Sequence, residues 1–298
     1  MSEHRIERVT DRERLWTPWR MRYIARNDAG KPKETGCVFC NALAGDDDTA
    51  SLVLHRGDRA FVIVNLFPYN SGHIMIVPNE HIDDPAMLDG ATSHEMADLM
   101  PLCVRALRRV FSCQGFNIGF NVGSAAGAGI AEHVHEHIVP RWVGDANFMP
   151  VLASTIAIPE LIPASYAKIR AELAREIHGT TTATVLMLVD DDRAIVTRSG
   201  RPPTVTPDPD QPVWRAAIGP FRSWMDGIEV AGWGGPANTL EQRQQTALIL
   251  RGSVARSRLP DGFEKVRLDA PDLDADIRTV LDRAMTQLAP KIAPPDLH

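Results

Sequence analysis

Glu132-His133-Val134-His135-Glu136-His137-Ile138-Val139-Pro140-Arg141-Trp142 is the stretch on which the reading of this chain turns. In extended backbone, alternate side chains share a face, so a strand over 133–140 projects His133, His135 and His137 together. A single histidine on a strand is ordinarily a core residue satisfied by one hydrogen bond. Three at a spacing of two are a costly way to fill a core, because each ring brings polar nitrogens that need partners. Taken by themselves, the residues leave open a metal cluster built from all three, as in tri-histidine zinc sites.

The flanking sequence has the punctuation of an α+β domain. Leu52–Leu54, Ala60–Val64 and His73–Val77 read as strands, and so do Phe116–Val122 and His133–Pro140. Residues 92–112 keep a helical rhythm through Met96, Leu99, Met100, Cys103, Val104 and Leu107. A loop rich in Gly and Ala, Gly123 to Gly129, precedes the histidines, and its glycines allow backbone amides to come close to phosphate oxygens. A second helix is expected near Ala164–His178. The boundary falls at about 179, with a hairpin beyond it from Thr182 through the turn Asp190-Asp191-Asp192 to Thr197. Later strands are expected near 227–231 and 246–250, and a last helix near 273–288. The acidic turn reads as a solvated hairpin tip rather than a metal site.

Composition narrows the partners. The 298 residues carry a formal net charge of -6, so neither duplex nucleic acid nor an anionic membrane is expected as a partner. No apolar run approaches the roughly 18 residues of a membrane span, and the charged start of the chain lacks the apolar core of a signal peptide. Four cysteines are too few for a disulfide scaffold of this length, and Cys37-Val-Phe-Cys40 has the spacing of a metal knuckle. A reducing cytoplasm is the expected setting. No internal repeat is apparent.

The motifs in order resemble the histidine triad (HIT) family, in particular its bacterial diadenosine tetraphosphate phosphorylases. The resemblance rests on Cys37-x-x-Cys40, Asn65, Pro68-Tyr69-Asn70-Ser71-Gly72-His73, Pro78-Asn79-Glu80-His81 and His133-x-His135-x-His137 with Pro140-Arg141 after it. The aromatic cluster Leu15–Tyr23, the Ala126–Gly129 loop and Gly144–Met149 extend it, so that it covers roughly residues 12–175.

The resemblance implies a HIT-like antiparallel sheet with helices in a nucleotide-processing domain, 1–178, that includes the N-terminal arm. A second small α+β domain of unrecognised type, 179–298, remains. The resemblance also implies that His135 is the nucleophile, forming a nucleotidyl-histidine with its other ring nitrogen held by a backbone carbonyl. His137 contacts the phosphate, and His73 lies close by. Asn65, Asn121, Gly127 and Gly129 bind substrate. Cys37, Cys40, His81 and His133 form a closed structural zinc site, with no organic cofactor. Homodimerisation is implied as well.

Two features depart from the family pattern. Glu136 stands where the triad usually has an apolar residue; alternation turns it away from the histidines, and we expect it to discriminate substrates. Ala128-Gly129-Ile130-Ala131 lacks the side-chain donors that many members carry before the triad, which puts phosphate binding on backbone amides.

The leading function is phosphorolysis of a dinucleoside polyphosphate such as diadenosine tetraphosphate. The alternatives are its hydrolysis, nucleoside phosphoramidase activity, nucleotidyl transfer to a sugar phosphate and, outside enzymes, a nucleotide-sensing module. Transferases of that type carry Gln at the third position, where this chain has His137. The C-terminal region's order of strands then helix resembles a Nudix module but lacks the glutamate-rich box that binds magnesium.

Overall fold

The computed structural model describes residues 36–145, 160–179, 182–236, 245–254, 259–271 and 273–288. The expected N-terminal cluster at 15–23 and residues 146–149 of the Gly144–Met149 segment lie outside them. The first sheet contains β1 (Val53–Arg56), β2 (Ala60–Val64), β3 (Ile74–Pro78), β4 (Gly115–Phe120) and β5 (Glu136–Arg141). Its order is β1-β2-β3-β5-β4, antiparallel throughout, so β5 is an interior strand and β4 lies at the edge beside it.

Helices α1 (Val38–Ala44) and α2 (Asp48–Ser51) precede this sheet, and α3 (Gly90–Phe111) packs against it. Asp89 starts α3 by accepting from the Thr92 amide, and the helix buries Met96, Leu99, Cys103, Ala106 and Leu107. Gly72 fixes the entry into β3. Its φ is +78°, and a Cβ there would lie 2.4 Å from the Phe111 ring, so only glycine lets that turn sit on the end of α3.

Helix α4 (Ile162–His178) packs on α3 and β1, and also on β9 (Met225–Pro236) and β10 (Gln245–Val254) of a second sheet. That sheet runs β11-β7-β6-β10-β9, with β6 (Thr182–Val189), β7 (Ala194–Arg198) and β11 (Phe263–Arg267); β8 (Thr204–Val205) pairs with β6. β6 and β10 are parallel, which makes the sheet mixed. β6 is apolar from Val185 to Val189 because both its faces are covered. Val185, Met187 and Val189 meet the core shared with α4 and α5 (Val213–Ile218), while Leu186 and Leu188 meet α6 (Ala275–Met285).

One connected set of buried residues thus reaches from the first sheet through α4 to the second. At its centre the Glu172 carboxylate, fully buried, accepts from Arg109 at 2.8 Å and from the Val213 amide at 3.0 Å, tying α3, α4 and α5 together. No helix among the described residues is long and apolar enough to cross a membrane.

Sequence periodicity located the long elements to within a few residues. It did not reveal α1, α2, α5, β8 or β11, whose short or half-exposed runs have no clear period. The hairpin tip has a specific conformation: Asp190, Asp191 and Asp192 all have positive φ, a left-handed turn that aspartate tolerates better than most residues.

Candidate active site

β5 begins at Glu136, so strand alternation governs His137 but neither His133 nor His135. The expectation of three histidines on one strand face is corrected here. The Val134 amide bonds to the Ile82 carbonyl at 2.6 Å, drawing 133–135 across the chain that follows β3 and out of the β5 ladder. His133 turns its ring to Cys37 and Cys40, whereas the rings of His135 and His137 meet edge to face with centroids 4.7 Å apart.

His135 is almost buried, and its Nδ1 lies 2.8 Å from the His133 carbonyl oxygen. A carbonyl only accepts, so the proton is on Nδ1 and the lone pair is on Nε2. Burial holds this imidazole below its ordinary pKa, the His133 carbonyl opposing it, and the ring is neutral at neutral pH.

The neighbouring histidines have a directed hydrogen-bond chain. The Tyr69 amide can only donate, and it donates to His73 Nδ1 at 3.0 Å. His73 therefore carries its proton on Nε2 and donates to His137 Nδ1 at 2.9 Å. His137 is left with a proton on Nε2; the Asn121 side-chain nitrogen stands 3.3 Å from it, and turning that amide over brings its oxygen there to accept. Burial first, then His137 and His135, lowers His73 to about 3, and burial followed by His135 lowers His137 to about 4. The result is a neutral ring with a bare Nε2 next to a neutral ring with an Nε2–H. The Tyr69 ring stacks on His137 at 5.6 Å and covers His73 at 4.6 Å.

Four other ligand atoms converge beside this pair. Cys37 Sγ, Cys40 Sγ, His81 Nδ1 and His133 Nδ1 all lie within 4.8 Å of one another and can hold a metal ion. Cys37 and His133 are 3.3 Å apart, Cys40 and His81 3.3 Å, Cys40 and His133 3.7 Å, and the two imidazole nitrogens 3.3 Å. His133 Nε2 donates to the Pro78 carbonyl at 2.9 Å, which leaves Nδ1 as the ligand atom.

The remaining residues singled out in the sequence are placed less uniformly. Asn65 is beside His73, but its Oδ1 already accepts from the Phe67 amide at 2.8 Å. Gly127 has φ +83° in an exposed turn where the amides of Ala126, Gly127 and Ala128 bond back to Gly123 and Ser124. Gly129 is exposed, with nothing within 4 Å of where a Cβ would lie. Glu136 is not brought to the histidines. It lies on the opposite face of β5, half-buried, where its charge acts on the buried Cys103 thiol of α3 and burial raises its own pKa. Sequence reasoning passed over Tyr69 and Phe39, although both lie inside motifs it quoted.

Residues 47–143 match the HIT domain family. Two Mycobacterium tuberculosis proteins named AP-4-A phosphorylase, from strains CDC 1551 and H37Rv, are each 36% identical over 171 residues, which is 55% of this chain and 86% of the relative. The chain belongs to the HIT family. An uncharacterized HIT-like protein of Saccharolobus solfataricus is 29% identical over 74 residues, 25% of this chain and 47% of its own. Among solved structures, a Zn-bound histidine triad family protein from Mycobacterium smegmatis is 28% identical with a TM-score of 0.39, over 47% of this chain and 94% of its own.

Proposed function

We propose that this HIT protein is a dinucleoside polyphosphate phosphorylase acting on diadenosine tetraphosphate or a close analogue through a nucleotidyl-His135 intermediate. The observation that carries the reading is the pair of opposed tautomers: a bare Nε2 on His135 beside an Nε2–H on His137. The relatives named AP-4-A phosphorylase support the substrate class.

In the first step the lone pair of His135 Nε2 attacks the α-phosphorus, and the bond from that phosphorus to the bridging oxygen breaks. ATP departs, its leaving oxygen met by the His137 Nε2–H. The imidazole gains positive charge as the P–N bond forms, and the His133 carbonyl already facing Nδ1–H stabilises it without reorganising. In the second step an oxygen of inorganic phosphate attacks the same phosphorus. The P–N bond breaks, ADP forms and His135 is restored.

Asn121 supports the phosphate region through His137, and Asn65 builds the turn that carries Tyr69. Gly127 and Gly129 leave the loop open to the polyphosphate.

The donor set suits structural zinc. With metal–sulfur bonds of about 2.3 Å and metal–nitrogen bonds of about 2.0 Å, tetrahedral edges are about 3.5 Å for S···N and about 3.3 Å for N···N. The spacings of Cys37, Cys40, His81 and His133 lie close to these. Zinc there would join the β5 approach to α1 and leave no open coordination position for substrate. A reducing cytoplasm keeps the thiols available. We also assign two units, 1–178 and 179–298, with α4 of the first packed on the sheet of the second, and a homodimer through the β4 edge, where Ile118 and Val122 are exposed.

The test is turnover of diadenosine tetraphosphate with isotope-labelled inorganic phosphate. Labelled ADP with ATP is expected. Unlabelled AMP with ATP would replace phosphorolysis by hydrolysis, and an adenylylated protein persisting in His135→Ala would remove His135 as the nucleophile.

A further inference from the structure

The nucleophile's tautomer is set by one hydrogen bond, but a single bond at Nδ1 leaves the imidazole free to swing about it. What limits the swing is packing on the ring. One neighbour is His137; another is Phe39, whose centroid lies 5.0 Å from that of His135 at an interplanar angle of 50°. Phe39 is 2% exposed and also meets His133 edge to face at 5.4 Å. It therefore contacts the ring that is oriented and the residue whose carbonyl orients it.

Phe39 sits within Cys37-Val38-Phe39-Cys40, in the first turn of α1. Seven residues are too few to hold a helix by themselves. α1 is fixed instead at both ends. Its N-terminal turn carries two of the four metal-ligating atoms, and its C-terminal carbonyls accept from Arg56, with Leu43 at 2.5 Å, Ala42 at 3.0 Å and Gly45 just beyond it at 2.7 Å. Fixing both sulfurs fixes the rotation of that turn, and with it the point from which the Phe39 side chain is directed onto the two histidine rings.

We propose that Phe39 is a positioning residue for His135, and that the metal knuckle aligns the nucleophile through it as well as through the His133 carbonyl. The knuckle then contributes to attack geometry as well as to stability. This rests on the assignment of His135 as the attacking group. Misplacing a reacting atom by about 1 Å costs on the order of a hundredfold in rate, and loss of one of several restraints costs about tenfold.

The experiment compares the zinc-loaded full-length protein with Phe39→Leu and Phe39→Met, two apolar side chains without a ring. Three quantities are read: zinc released per chain, the single-turnover rate of nucleotidyl-histidine formation with its KM, and solvent exchange of the His135 Nδ1–H proton by NMR. A variant that keeps its zinc is expected to form the intermediate about tenfold more slowly at unchanged KM. Its Nδ1–H is expected to exchange faster.

Unchanged rate and exchange in a zinc-retaining variant would overturn the proposal. So would a change confined to KM, or zinc loss in both variants, which would make Phe39 a builder of the knuckle only. If the parent forms no nucleotidyl-histidine from diadenosine tetraphosphate, the function is what fails, and the exchange measurement still decides whether Phe39 restrains His135.

Discussion

Replacing His73 by leucine isolates the hydrogen-bond chain that decides where His137 keeps its proton. His73 is fully buried, and its Nε2–H satisfies His137 Nδ1 at 2.9 Å. His73→Leu leaves that buried acceptor and the part-buried Tyr69 amide without their partner, together worth about 1–3 kcal/mol, and a misfit in shape adds about 1 kcal/mol more. A loss of roughly 2–4 kcal/mol in folding stability is expected by chemical denaturation.

The kinetic consequence is graded. Removing the proton donor outright in His137→Phe costs about 10²–10⁴-fold, the usual contribution of a positioned acid. His73→Leu retains the donor but releases its tautomer, so it costs less, roughly tenfold in the rate of ATP release. If His73 acts only through His137, the double variant is no slower than His137→Phe alone. The assay is single-turnover release of ATP from diadenosine tetraphosphate, with all variants saturated. A double variant a further tenfold below His137→Phe would refute the relay, because His73 would then be acting on the reaction by some other route.

Three further outcomes follow from the same coordinates. Stability is expected to fall on acidification: unfolded histidine takes up protons near 6.5, whereas His73 and His137 resist until about 3 and 4. These depressed values leave stability unaffected above 6.5 and remove it from 6.5 down to about 4 for His137 and about 3 for His73. His73 alone contributes about 3 kcal/mol of the loss at pH 4, and a denaturation midpoint that stays flat across this window would contradict it. Arg109→Leu strips the buried Glu172 carboxylate of its nearest cation and is expected to cost about 3 kcal/mol, somewhat cushioned by Arg175 at 3.4 Å; an unchanged melting temperature would argue against the clasp. Cys40→Ala removes one of four ligands, so a chelator-competition assay is expected to show zinc held at least tenfold more weakly, and equal retention would exclude the knuckle.

The residues that carry local conformation were legible in the chain itself. Met96, Leu99, Cys103 and Leu107 specify the buried face of α3, and the apolar run of Val185 to Val189 specifies β6, because period and run length depend only on neighbours in sequence. The motif from Cys37 to His137 was sufficient to propose a nucleophile and to single out Cys37, Cys40, His81 and His133, which the fold brings together. Short elements such as β8 and α5 were not legible, since a few residues do not establish a period.

What only the tertiary structure decided is how the histidine rings are oriented and where their protons lie. By spacing alone His133, His135 and His137 look equivalent, and only the family resemblance separates them. In the fold His133 belongs to the Cys37–Cys40 cluster, His135 leans on the His133 carbonyl, and His137 takes its proton pattern from the Tyr69 amide by way of His73. Glu136, one residue from two of them, is directed toward α3 and Cys103. Hydrogen-bond direction and ring packing are set by partners as much as 96 residues away, as Cys37 is from His133. Composition and spacing determine which chemistry the chain can hold; the contacts made on folding set the orientation and tautomer of each ring.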